Sequence, residues 1–147
     1  MFPPERIVCL TEETVETLYL LGEDRRIVGV SGYAVRPPQV RREKPRVSAF
    51  ISADVPKIID LKPDLVVMDA DMPGMSGLRT ALLLSQMAPA TEVILMSMDT
   101  GPRFRAACAG CGAKAVIYKP RFLRELSALL QRPLRPSLHA EPMAAGV

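Results

Sequence analysis

Short apolar runs alternate with stretches whose apolar residues recur at helical spacing, and the alternation repeats five times along the chain. Residues 6–10 predict a first strand, followed by a helix over 13–21 that Thr11 caps and Gly22 ends. Residues 26–30 predict the second strand. Residues 31–50 then form a loop rich in Pro and Arg, with a short extended piece at 47–51, before a helix over 53–61 whose first turn accommodates Pro56. The third strand falls at 64–68 and its helix at 78–87; the fourth strand falls at 92–96 and its helix at 103–109. Residues 115–118 make the fifth strand. A last helix over 121–130 places Leu123, Leu126, Leu129 and Leu130 on one face. Residues 132–147 are predicted to be a disordered tail.

Strands alternating with helices imply a parallel sheet covered on both faces, and right-handed crossovers leave few topologies. The expected architecture is one doubly wound α/β domain over residues 1–131, with a five-stranded flavodoxin-like sheet in the order 2-1-3-4-5. In that order the first and third strands are neighbours. Acids following strand one, Glu12 and Glu13, then approach the end of strand three across the switch point. That end carries the most distinctive stretch of the chain, DLVVMDADMPGMSG at 64–77. Leu65, Val66, Val67 and Met68 predict a strand buried on both faces, and Met72, Pro73, Gly74 and Gly77 interrupt it at once. Asp69 is therefore delivered to a strand's carboxyl end, where open parallel sheets bind ligands.

Composition narrows the function classes. A chain of 147 residues with 48% hydrophobic content suits a single core. A net charge of +3 is too mild to argue for nucleic acid or a membrane surface. No apolar run approaches the roughly 18 residues of a membrane span. The start, MFPPERIVCL, lacks the features of an export leader, so a cytoplasmic location is expected. Three cysteines without such a leader suggest reduced thiols. Cys9 lies in a strand, and the Cys108–Cys111 pair closes a helix, whereas redox pairs of that spacing open one. The lone His139 leaves zinc without a ligand set. The basic cluster Arg36, Arg41, Arg42, Lys44 and Arg46 has only Tyr33 and Phe50 as neighbouring aromatics, and a solvated loop is the expected reading.

The 64–77 stretch, with VILMSM at 93–98 and IYKP at 117–120, resembles the receiver domain of bacterial two-component response regulators over residues 60–131. The resemblance implies that Asp69 accepts a phosphoryl group from a histidine kinase and that Ser97 and Lys119 are the switch and phosphoryl-binding residues. It implies Mg²⁺, held by Glu12 or Glu13, Asp69 and the backbone carbonyl of Asp71. It further implies a signalling module and not an enzyme; a monomer or weak dimer is expected, and the mild charge and short apolar runs lead to an expectation of no nucleic-acid or membrane partner. Output would pass to a protein partner through the fourth helix, fifth strand and last helix. Two departures stand out: the acids after strand one are Glu where the family uses Asp, and Val116 occupies the position of the family's switch aromatic, with Tyr118 two residues on.

The first half resembles a different family. TEETVETLYLLG, IVGVSG, the YAVRPP loop and KIIDLKPDLVV are similar, over residues 5–67, to the amino-terminal lobe of periplasmic substrate-binding proteins of the cobalamin and iron-chelate type. The two resemblances overlap at residues 62–67, where a Lys-Pro-Asp-Leu-Val strand entry is common to both. A hybrid chain joined there is expected. Its alternatives to phosphoryl acceptance are a folded chimera without activity and a residual corrinoid- or chelate-binding half-lobe, of which only one pocket wall would remain.

Overall fold

The computed structural model describes residues 4–32, 34, 36–48, 54–72, 75–99 and 101–131. Six parallel strands form the main sheet: β1 (Ile7–Cys9), β2 (Ile27–Ser31), β3 (Arg46–Ser48), β4 (Leu65–Asp69), β7 (Glu92–Ser97) and β8 (Ala115–Tyr118), in the order β3-β2-β1-β4-β7-β8. A separate antiparallel ribbon, β5 (Asp71–Met72) with β6 (Met75–Ser76), follows β4. The helices are α1 (Glu12–Leu20), α2 (Val40–Glu43), α3 (Val55–Asp60), α4 (Gly77–Met87), α5 (Pro102–Ala109) and α6 (Phe122–Gln131).

Strand residues alternate between two cores, as the period of two demands. Ile7, Cys9, Leu65, Val67, Ile94, Met96, Ala115 and Ile117 face one core with Val15 and Leu18 of α1 and Leu126 of α6. Val8, Val66, Met68, Val93, Leu95 and Val116 face the other, with Ile58 of α3, Ala81 and Leu84 of α4 and Cys108 of α5. Both faces of every central strand are thus dry, which is why those strands are continuous apolar runs.

Element ends follow local chemistry. Thr11 caps α1, its hydroxyl accepting from the Thr14 amide at 3.2 Å, and Gly22 closes the helix at φ +74°. Asp54 caps α3 by accepting from the Lys57 amide at 3.0 Å. Pro102 opens α5, where its missing amide hydrogen has no helical role.

The predicted order of five strands is present, and a sixth strand extends it. Arg46–Ser48 pairs with β2, with Val47 buried at the edge against α3. The loop expected over 31–50 also contains α2, anchored by the fully buried Val40. Leu123 does not share the buried face of α6: it is 57% exposed while Leu126 is 1% exposed, and the side chains of Leu129 and Leu130 lie outside the described residues, as does the expected tail. Among the described residues no helix is long and apolar enough to cross a membrane.

Candidate functional site at the carboxyl edge of the sheet

Three neighbouring strands deliver the site. Register pairs Asp69 of β4 with Met96 of β7, and Ser97 of β7 with Tyr118 of β8, so Asp69, Ser97 and Lys119 emerge together at the carboxyl edge. The first turn of α1 meets them. Its buried Thr11 and Thr14 hydroxyls are 2.5 Å apart, and that of Thr14 lies 3.6 Å from the Met96 sulfur, which fixes the turn against β7. Nothing in the sequence pattern marked this contact beyond the cap itself.

Lys119 is the hub. Its ammonium lies 2.5 Å from Asp69 Oδ2 and 3.7 Å from Glu13 Oε2. Burial pulls its pKa down, but the hydrogen bond to Asp69 and the charges of Asp69 and Glu13 outweigh it, and the net shift is upward. Two carboxylates thus converge on one cation.

Glu12 is drawn elsewhere. Its Oε1 lies 3.8 Å from Arg36 Nε, and Arg36 Nη2 lies 3.4 Å from Glu16 Oε1, one helical turn on. The sequence left Glu12 and Glu13 as equal candidates; the rotation of α1 separates them. Arg36, read from the sequence as part of a solvated basic loop, stays 67% exposed while reaching both acids of this turn.

Ser97 is 1% exposed, and its hydroxyl accepts from the Asp99 amide at 2.9 Å. Asp99 in turn accepts from the Gly101 amide at 2.7 Å, closing the turn into α5. Nothing in the sequence pattern singled out Asp99. The backbone of Asp71 lies in the ribbon opposite Ser76, while its side chain and Pro73 and Gly74 lie outside the described residues. Gly77 packs directly on the site: a Cβ there would overlap the Asp69 carbonyl oxygen and approach Ala70 Cα to 2.8 Å.

Oxygen donors of this kind suit Mg²⁺, which takes one or two carboxylates and completes its shell with water and phosphate. Asp69 and Glu13 are the residues here that would hold it, both now engaged by Lys119. Among the described residues no group of three or more His, Cys, Asp or Glu is placed to hold a metal. The cysteines are buried free thiols, and burial together with Cys111 and Asp99 pushes Cys108 up to about 12. A groove of 590 Å³ between α4 and α5 is lined by Leu78, Leu82, Leu83 and Ala107 among others, and by no described residue of α1 or of the loop after β2.

The family described as periplasmic binding protein matches residues 7–97, which carries the likeness past Val67 and through β4, α4 and β7. Vitamin B12-binding protein of Vibrio cholerae is 39% identical over 66 residues, 45% of this chain and 24% of that protein. The protein-glutamate methylesterase/protein-glutamine glutaminase of Thermotoga maritima is 32% identical over 95 residues, 60% of this chain and 27% of that protein. The chain therefore spans about a quarter of the length of these curated relatives, at 24% and 27%. A DNA-binding response regulator of the LuxR family from Staphylococcus aureus shares the fold, with a TM-score of 0.61 at 17% identity over 86% of this chain and 96% of that one. Likeness to both families meets in one sheet.

Proposed function

The chain belongs to the periplasmic binding protein family, and from that premise we propose that its receiver-like carboxyl edge serves as a phosphoryl acceptor, with Asp69 as the accepting residue. The observation that carries this reading is the single ammonium of Lys119 held by both Asp69 and Glu13. A carboxylate so placed at a parallel-sheet edge, with a cation beside it, has the charge balance that phosphoryl transfer needs.

In the proposed reaction a carboxylate oxygen of Asp69 attacks the phosphorus of a phosphohistidine on a histidine kinase. The P–N bond breaks as the P–O bond forms, leaving an acyl phosphate, and the imidazole takes up a proton. Lys119 moves its charge from Asp69 to the arriving phosphoryl oxygens. Mg²⁺ would be held by Asp69, Glu13 and the backbone carbonyl of Asp71, and it would neutralise charge between carboxylate and phosphoryl group. Ser97 exchanges its hydrogen bond from the Asp99 amide for one donated to a phosphoryl oxygen, altering the turn that leads into α5. Output then passes to a protein partner through α5, β8 and α6, from a cytoplasmic monomer or weak dimer.

The test is an amide NMR titration with Mg²⁺ followed by beryllofluoride, on this chain and on Asp69→Ala. Saturable shifts at Asp69, Ser97 and Lys119 that vanish in the variant support the reading. A dispersed spectrum that neither reagent changes refutes it.

Family membership favours a second reading. The match over residues 7–97 includes the loop after β2, which supports a residual corrinoid- or chelate-binding half-lobe, or a folded chimera without either activity. Corrinoid titration of the same sample separates them: saturable shifts in residues 31–44 support the half-lobe, and silence toward both ligands supports the inactive chimera.

A further inference from the structure

We infer that Arg36 sets the cation affinity of the carboxyl edge by withdrawing Glu12 from it; this inference rests on the cation-binding reading above. Glu12 and Glu13 are successive residues in the first turn of α1, about 100° apart around a helix of 3.6 residues per turn. Glu13 faces Lys119 and, through it, Asp69. Glu12 shares a face with Glu16, and Arg36 spans both at 3.8 and 3.4 Å.

Two like charges four residues apart repel, so a guanidinium over them relieves a cost intrinsic to this helix. That accounts for Arg36 over Glu16 and Glu12 as a pair. It has a second effect at the sheet edge. A carboxylate engaged by a guanidinium is less available to a metal, and the affinity of hard-cation sites follows the number of charged ligands. With Arg36 in place, the edge offers two carboxylates, Asp69 and Glu13. Without it, the long side chain of Glu12 is free to turn from its own face toward theirs. Arg36 is 67% exposed at its side chain and lies on the loop between β2 and α2, and among the described residues its guanidinium is held by these two acids on α1. A partner or an anion that drew this loop away would thereby raise the affinity for Mg²⁺.

The experiment is Mg²⁺ titration, followed by amide NMR, of the full chain and of Arg36→Gln, Glu12→Gln, Glu16→Gln and the double variant Arg36→Gln/Glu12→Gln. Arg36→Gln is expected to bind Mg²⁺ about fivefold more tightly, roughly the upper range for one exposed opposite-charge contact. Glu12→Gln and Glu16→Gln alone should leave the affinity within about twofold of the parent, because neither residue is a ligand while Arg36 is present. The double variant should lose the gain. Retention of the gain in the double variant would show that Arg36 acts only through its field, and would overturn the inference. So would an Arg36→Gln variant whose melting temperature falls while its Mg²⁺ affinity is unchanged. If no variant takes up Mg²⁺, the cation site itself fails, and the inference with it; binding by the parent chain with no response to Arg36→Gln sinks this inference alone.

Discussion

Lys119 and Asp69 show how one residue pair joins stability to chemistry. Both side chains are about a quarter exposed, at 26% and 21%, so their contact contributes only about 0.5–1 kcal/mol to the fold. Its sign is nevertheless fixed. Folding raises the pKa of Lys119, so the stabilisation is fully present below its ordinary value of 10.5 and is lost as pH climbs through the folded value. Asp69→Asn should therefore lower the urea midpoint by a constant amount around neutral pH, and the deficit should shrink as pH rises above 10.5 and the parent loses the ammonium. A deficit that widened in alkali would mean that the ammonium is not what Asp69 holds. The weakness of the pair also has a functional side: a lysine held by less than about 1 kcal/mol is readily recruited by an incoming phosphoryl group.

At the scale of elements, the turn between β4 and α4 is where sequence and site are most tightly bound. Gly77 begins α4 with its Cα against the Asp69 carbonyl, so any side chain there must push the helix off the strand end or move Asp69. Gly77→Ala should cost about 1–3 kcal/mol, the range for overpacking, and should weaken the Mg²⁺ response as well. Thermal melting together with the titration checks both; an alanine variant of parental stability would show that the close approach relaxes without cost. The glycine was legible in the sequence as a strand breaker, but its contact was not, because a turn residue declares its conformation and not its neighbours. The same limit explains Glu12 and Glu13. Alternation of apolar runs located the strands and their order, since burial on both faces writes itself into consecutive residues. It placed a short extended piece at 47–51, which overlaps Arg46–Ser48 without giving it a place in the sheet, and it missed Val40–Glu43; these are three and four residues long and lie among Pro, Arg and Lys, with Val47 and Val40 as their buried anchors. Asp69 was legible because it closes a strand buried on both faces, and Ser97 and Lys119 only through the receiver-like stretches VILMSM and IYKP; the partition of charge between Arg36 and Lys119 was not, because it depends on the rotation of α1.

For the molecule as a whole, the question is whether a chain with two likenesses behaves as one body. The segment where they overlap is stitched to the first strand. Arg6 donates to the Lys62 carbonyl at 3.2 Å, and the Asp64 carboxylate accepts from the Glu5 and Arg6 amides at 2.8 and 3.0 Å. β1 pairs with β4, and β4 with β7, so the ladder crosses the overlap without an edge. Each core also draws on both halves: Leu18 of α1 shares one with Ile94, and Val8 of β1 shares the other with Leu84 of α4. Neither half can bury its own strand faces if the other is removed, so unfolding should be a single cooperative transition. Leu18→Ala and Leu84→Ala, in opposite halves and on opposite faces, should each cost about 2–5 kcal/mol and shift that same transition. Hydrogen exchange resolves the outcome residue by residue: amides of β1 and of β7 should lose protection in parallel in both variants. If Leu84→Ala released β7 while β1 stayed protected, the two halves would be separate folding units that merely share a sheet, and the carboxyl-edge site, built from α1 on one side and β4, β7 and β8 on the other, would have no common scaffold to hold Glu13 against Lys119.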